Sequence, residues 1–208
     1  MSGPAGPLTA PAAAPAWVAA VQRAAGNRAV AGALAQRIEP AAAPAPAPAT
    51  SAEGAPGREP RPDEITALRA LLPDLTNFRI LHEPAGYYNC FAWAVGIDSR
   101  IIGSRTNEGY NNDSVENWTD FLRKAHGFGR FADGFDPGAD LLLFGETPGW
   151  IQHAARKAEV PYGALTFSSK LGGGNTESPV IQHAPHEVEG KQYGRIIRSL
   201  WREAAPAP

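Results

Sequence analysis

The sequence predicts an α+β domain that follows a long N-terminal extension, and three observations support this prediction. Much of the proline, of which the 208-residue chain has 20, lies before residue 62, in a region poor in large apolar side chains. After that region, helical periodicity dominates as far as residue 127, and strand periodicity dominates beyond it. Helices followed by an antiparallel run of strands are typical of an α+β fold.

Residues 1–39 form the first part of the extension, with disorder predicted at the start and a short helix predicted at about 16–39. Ala, Leu, Arg and Gln favour this helix, and its apolar residues recur at a spacing of four, at Val30, Leu34 and Ile38. The helix is too short to form a core alone, so its apolar stripe is expected to need a partner surface. Residues 40–62, rich in proline and alanine, are predicted to be a linker.

The folded domain is predicted to cover residues 63–203, with a disordered tail at 204–208. Asp63 is placed to cap a first helix that ends before Pro73. A strand is predicted in "NFRILHE", a short buried helix in "CFAWAVG" and an amphipathic helix in "DSVENWTDFLRKAHG". Residues 97–113, rich in Asn and Gly, are expected to form an irregular loop between the last two.

Strand periodicity continues from there to the end of the domain. Further strands are predicted at 139–145, 149–158, 164–172, 179–184 and 193–202. Their connections are short and rich in turn residues, so neighbours in sequence are expected to pair as an antiparallel meander. The "GGGN" run at 172–175 lacks the Lys-Ser/Thr ending of a phosphate-binding loop, so it is predicted to be a hairpin loop.

Charge and hydropathy exclude several classes of partner. The formal net charge is −2 and the basic residues form no block, so neither nucleic acid nor an anionic membrane surface is expected as a partner. No apolar run approaches the roughly 20 residues that span a bilayer. The N-terminus lacks the basic and Leu-rich segments of a signal peptide, and a single cysteine cannot form an internal disulfide. The sequence therefore predicts cytoplasmic synthesis without signal-peptide export.

Cys90, the only cysteine, opens the predicted short helix directly after a Gly/Tyr turn. A helix N-terminus stabilises a thiolate, and a nucleophilic thiol also needs a base and a group that orients the base. His153 and His183 lie in two strands with one predicted strand between them, so both imidazoles can face a helix packed across the sheet. The alternative is that this cysteine and these histidines are core residues. The order of the segments, a Cys-led helix, an acid-led strand and two His-bearing strands, favours catalysis.

This order resembles the core of NlpC-type papain-like cysteine peptidases and amidases, on the segments "YNCFAWA", "ADLLLFG", "IQHAARKA" and "VIQHA". The resemblance implies that Cys90 is the nucleophile, His153 the base and His183 the orienting group. Asn89 and Phe91 stand where that family usually has an acid and a serine. A longer series, "YNCFAWAVG", "HAAR", "SSKLG", "IQH" and "EVEGKQYGRI", is similar to an uncharacterised bacterial domain family over about residues 63–202.

The implied chemistry is acyl transfer on an amide or ester carbonyl of a protein or peptide substrate. His153 takes the proton of Cys90, the thiolate attacks the carbonyl, and water releases the thioester. The Cys90 backbone N–H and the Tyr88 hydroxyl are expected to hold the oxyanion, and Asn89 is a further candidate for positioning the substrate. Proteolysis, amide hydrolysis, deamidation and acyl transfer all remain open. No metal or other cofactor is predicted, because His82 and His186 lack the spacing of a zinc site.

The segment "VQRAAGNRAVAGALAQR", residues 21–37, resembles segments near the N-termini of proteins associated with extracellular contractile injection systems, especially in actinobacteria. The resemblance implies an effector in which a short address precedes a toxin payload, loaded into an injection particle from the cytosol. Two alternatives stay open. One is a non-catalytic payload or particle component that keeps a papain-like shell for binding, and the other is a cell-wall amidase acting in its own producer.

Overall fold

A computed structural model describes residues 57–102, 114–146, 150–172 and 177–203 of the chain. Several predicted segments lie wholly or mostly outside these residues: the helix at 16–39, the linker, the 97–113 loop, the hairpin loop at 172–175 and the C-terminal tail. The helices are α1 (Pro62–Leu71), α2 (Cys90–Ala94) and α3 (Val115–His126), with a 3₁₀ helix at Pro185–Val188. The strands are β1 (Phe78–Ala85), β2 (Phe128–Asp133), β3 (Leu141–Glu146), β4 (Trp150–Tyr162), β5 (Leu165–Lys170), β6 (Ser178–His183) and β7 (Arg195–Arg202).

The strands form one antiparallel sheet in the order β1-β6-β5-β4-β3-β7-β2. The predicted α+β class and the meander from β3 to β6 are therefore confirmed. The last strand was wrongly predicted to continue the meander, because β7 pairs with β3 and β2 while β1 occupies the free edge of β6. β2 was not predicted, because only Phe128 of "FGRFAD" is buried and this edge strand lacks the alternation of a half-buried strand. In the described part of the chain, no helix is long and apolar enough to cross a membrane.

The sheet has a core on each face, and the faces are named here by their helices. The α1 face is packed by Ala67, Leu68, Leu72, Phe78, Ile80, Leu142, Phe144, Ala155, Phe167, Ile181, Val188, Tyr193 and Ile196. The α2 face, which α3 also covers, is packed by Tyr88, Cys90, Phe91, Trp93, Trp118, Leu122, Leu141, Leu143, Ile151, Ala154, Val180, Ile197 and Leu200. Because successive strand residues point to opposite faces, the register of each strand decides which face a functional side chain reaches.

The folded part begins before residue 63. Arg58 forms an antiparallel bridge to Ile80, in which both N–H to O distances are 2.9 Å. Its guanidinium also makes two 2.8 Å hydrogen bonds to the buried carboxylate of Glu64 and lowers the pKa of that carboxyl. The Pro- and Gly-rich composition around Arg58 suggested a linker, but the bridge to Ile80 ties this segment to the sheet edge, and the buried carboxylate of Glu64 ties it to α1.

Candidate functional site

Asn89 and Cys90 form the start of α2 on the α2 face of the sheet. Asn89 is the N-cap residue, because its Oδ1 accepts a 2.9 Å hydrogen bond from the backbone N–H of Ala92. Its Nδ2 donates at 2.8 Å to the carbonyl of Ile102, and the residue is fully buried. Asn89 therefore holds the turn before Cys90 and the segment that ends at Ile102.

Cys90 lies in the core between α2 and the sheet, and only 1% of its surface is exposed. Burial raises the pKa of the Cys90 thiol to about 11, although a hydrogen bond with the backbone of Ala154 and the positive charge of Lys170 act in the opposite direction. Five residues is a short helix, and its N-terminal dipole does not offset this desolvation. At neutral pH the sulfur is therefore a thiol.

Lys170, on β5, is the charged group that acts on Cys90. Its Nζ donates a 2.7 Å hydrogen bond to Ser178 Oγ and lies 5.2 Å from the ring centroid of Tyr88. Burial lowers the pKa of Lys170 to about 8, and the nearby sulfur acts in the opposite direction. We call Tyr88, Cys90, Lys170 and Ser178 the Cys90 cluster. Sequence analysis gave no role to Lys170 or Ser178, although a lysine in the apolar strand "LTFSSKL" was a usable signal.

His153 lies on the opposite face of the sheet from Cys90, which corrects the predicted nucleophile–base pair. Its imidazole stacks on Tyr193, with ring centroids 3.9 Å apart, and lies 5.6 Å from the ring of Phe144. Both partners belong to the α1 face, whereas Cys90 and Ala154 belong to the α2 face. The sheet therefore separates the thiol from the imidazole.

A bulge in β4 explains why His153 is on this face. Gly145 pairs with Ile151 and Phe144 pairs with His153, so Gln152 is one extra residue in β4. If β3 and β4 paired regularly, without a bulge, His153 would lie two residues after Ile151 on the same face. Ile151 packs under α2. The bulge lies where a Cβ on Gly145 would clash with the carbonyl of Trp150, so this glycine permits the close approach.

His183 also lies on the α1 face and does not orient His153 through a hydrogen bond. Its Nε2 is 3.0 Å from Ser169 Oγ, and its Nδ1 is 2.8 Å from the carbonyl of Ala184. A carbonyl can only accept, so Nδ1 carries the proton and Nε2 accepts from the Ser169 hydroxyl. The described residues therefore do not form the predicted Cys–His–His arrangement.

A second group of side chains surrounds the indole of Trp93, near the Cys90 cluster. The guanidinium of Arg156 lies 3.9 Å from the indole centroid, and the ring of His82 meets it edge-on at 4.8 Å. The indole N–H donates to Ser168 Oγ at 3.2 Å, which fixes the ring. Tyr88 lies between this indole and the ring of Tyr87, which is 39% exposed. We call His82, Tyr87, Trp93 and Arg156 the Trp93 patch.

The part of the chain that the structure describes contains no group of three or more His, Cys, Asp or Glu side chains placed to hold a metal ion. The candidate functional groups are therefore a buried thiol–ammonium cluster on the α2 face, an aromatic and cationic patch beside it, and a histidine pair on the α1 face.

Fold and site together define an α+β domain in which a short Cys-led helix packs across an antiparallel sheet. The chain belongs to the DUF7689 family, described as a domain of unknown function, whose family model matches residues 79–200. That range begins in β1, ends in β7 and contains the Cys90 cluster and the Trp93 patch. No curated protein and no solved structure matches the chain.

Proposed function

We propose that this domain binds a segment of another protein and is not an active papain-like hydrolase. The observation that carries the proposal is the placement of Cys90 and His153, both buried, on opposite faces of the sheet. A general base must come within hydrogen-bond reach of the proton that it removes, and the sheet lies between these two groups. On this proposal the chain keeps an NlpC-type arrangement of helix and sheet without its catalytic pair.

The Trp93 patch supplies the binding chemistry in this proposal. Arg156 Cζ lies 3.9 Å from the centroid of the Trp93 indole, and a guanidinium held over a ring can present paired N–H groups to a carboxylate. The carboxylate of Glu159, 3.8 Å from Arg156, is more than half exposed and can give way to a ligand. The half-exposed ring of Tyr87 offers apolar contact nearby. The ligand class is therefore an acidic peptide segment that also carries an apolar side chain.

Panning a phage-displayed random peptide library on the immobilised full chain tests this proposal. Enriched peptides are expected to contain Asp or Glu. Arg156→Met should weaken binding of an enriched peptide by about 10-fold or more, because one charge-assisted contact contributes roughly 1.5–3 kcal/mol. Arg130→Met is the matched control. Arg130 also lies over a tryptophan ring, that of Trp201 at 4.0 Å, but it is on β2, the edge strand far from the Trp93 patch. That variant and Cys90→Ala should bind as the wild type does.

Two results would contradict the binding proposal. The first is peptide binding that is equal in the wild type and in Arg156→Met. The second is cleavage or covalent capture of the displayed peptides by the wild type, with neither reaction in Cys90→Ala.

A second candidate function, a cysteine hydrolase or acyl-transfer enzyme, is favoured by the burial of Lys170 against Tyr88 in the Cys90 cluster. In this version the neutral form of Lys170, and not His153, takes the thiol proton. The lowered pKa of Lys170, about 8, makes that form accessible near neutral pH. Because Cys90 is only 1% exposed, α2 would first have to move, and the thiolate would then attack an amide carbonyl. The Lys170 ammonium would give its proton to the leaving amine, and water would hydrolyse the resulting thioester. Peptide cleavage in the panning experiment would support this candidate.

The proposed biological setting rests on the N-terminal resemblance. Residues 21–37 support a payload of an extracellular contractile injection system, in which the extension binds the particle and the folded domain acts as the toxin or effector. In that setting, an acidic peptide segment of a target-cell protein is the ligand of the domain.

A further inference from the structure

His153 and His183 lie on the α1 face and take part in neither the Cys90 cluster nor the Trp93 patch. Both residues are 0% exposed. His183 is held in its neutral form by Ser169 and by the Ala184 carbonyl, as its two hydrogen bonds require. A second proton would place a positive charge in a core of Leu, Ile and Phe side chains.

His153 is in a less favourable position for a charge. Neither of its ring nitrogens has a hydrogen-bond partner among the residues that the structure describes. One face of its ring is stacked on Tyr193, and Phe144 lies beside it. A second proton on this imidazole would leave two buried N–H donors without acceptors. Protonation of His153 therefore lowers the free energy of unfolding.

The surroundings offer these two histidines little negative charge. Glu187 of the 3₁₀ helix acts on His183, but its oxygens already accept from Thr76, Asn77 and Ala184 at 3.1 Å. Tyr193, in the turn before β7, is the titratable group that faces His153. A positive charge on His183 would also disfavour a positive charge on His153. The side chains that α1, β3 and β5 contribute to this core are apolar, apart from Ser169. The buried acid of α1, Glu64, is already paired with Arg58 and Arg61.

We propose that His153 and His183 form an acid-responsive switch: both are neutral at pH 7, and their protonation in mild acid opens the core on the α1 face of the sheet. The device needs no ligand. It would let a domain that is closed in a neutral cytosol loosen in an acidified compartment.

The sign and the pH window follow from the two imidazoles. Burial lowers the pKa of His183 to about 4 and lowers the pKa of His153 well below its ordinary value. In the unfolded chain both pKa values return to about 6.5. Stability is therefore complete above about pH 6.5 and falls as the pH drops toward 4, because the unfolded chain then binds protons that the folded chain excludes. Each histidine raises the unfolding equilibrium constant by up to about 10-fold per pH unit in this window.

Urea unfolding of the full chain between pH 7.5 and 5 tests the switch. His153→Phe keeps a stacked ring, and His183→Gln keeps hydrogen-bonding groups. In the wild type the unfolding equilibrium constant rises as the pH falls below about 6.5. Each substitution should remove one histidine's part of that rise, which is about 10-fold per pH unit. Gly134→Ala is the control, since it removes no titratable group and its added Cβ meets no atom within 4 Å. This variant should keep the wild-type pH dependence. His82 and His126 remain in every variant, so the difference between variants isolates the pair.

A second measurement uses the wild-type chain and tests the proposal even if the variants do not fold. In the wild-type chain, NMR of the assigned imidazole ¹³C resonances should show His153 and His183 still neutral at pH 5.5, together with lower hydrogen-exchange protection factors at the amides of β4 and β6 than at pH 7. The proposal is overturned if all five histidines titrate near pH 6.5 in the folded chain. It is also overturned if a folded His153→Phe variant keeps the wild-type pH dependence.

Discussion

Cys90 in the folded protein is expected to react with iodoacetamide at neutral pH about 100-fold more slowly than the same thiol in the urea-unfolded chain, or slower still. The thiolate is the reactive form, and burial raises the pKa of Cys90 from an ordinary 9.0 to about 11. Each pKa unit lowers the thiolate fraction about tenfold, so this shift lowers the thiolate fraction about 100-fold. Because Cys90 is 1% exposed, alkylation also requires α2 to open, which slows the native reaction further.

Mass spectrometry of timed samples measures this protection directly, since the chain has a single cysteine. His153→Phe serves as a control, because a residue on the opposite sheet face should not change the rate in folded protein. A native thiol that reacts as fast as the unfolded one would contradict the buried placement. A loss of native reactivity in His153→Phe would restore the predicted catalytic pair.

Gly194→Ala is expected to destabilise the domain by about 4 kcal/mol or more, or to prevent folding. Gly194 has a φ of +76°, a conformation that costs a residue with a Cβ about 1–2 kcal/mol. A Cβ at this position would also lie within 3.0 Å of the backbone of Gly145 on β3. Both obstacles are backbone atoms or backbone angles, so no change of side-chain rotamer relieves them. This glycine therefore fixes the approach of the turn before β7 to the bulged end of β3.

Gly134→Ala provides the matched comparison for that substitution. Gly134 has nearly the same φ, +77°, but a Cβ there would meet no atom within 4 Å. Only the conformational cost of about 1–2 kcal/mol should appear. Urea unfolding at pH 7.5 measures both variants. Equal losses of stability would show that the contact with Gly145 does not matter.

Local sequence signals were sufficient for most of the fold. The α3 helix begins at the cap residue Ser114, whose Oγ accepts from the N–H of Asn117 at 3.1 Å, and it ends at Gly127 in a left-handed conformation. Both features can be read from residue types. The strands from β3 to β6 follow from apolar runs and turn residues. β2 could not be read in this way, because its pairing with β7 is a long-range contact and its side chains are largely exposed.

The site was harder to predict, because it depends on which face of the sheet each strand residue reaches. The positions of Cys90 and His153 in their elements were correct, but one extra residue in β4 puts the imidazole on the α1 face. A bulge of this kind is set by the close approach of Gly145 to Trp150, and a glycine in a strand does not specify which residue of the partner strand is the extra one. Lys170 was missed for a related reason. Its inward direction is a matter of register, and lysine is rarely buried.

The ¹³Cβ chemical shift of Cys90, followed from pH 6 to 9.5, tests most directly whether this thiol is separated from His153. Labelling cysteine in the full chain gives one resonance, because Cys90 is the only cysteine. The wild type and His153→Phe should both show a protonated thiol throughout this range, since its pKa is about 11 and the imidazole lies across the sheet. A thiolate transition below about pH 8 that shifts or disappears in His153→Phe would contradict the separation and would identify the two groups as a catalytic pair.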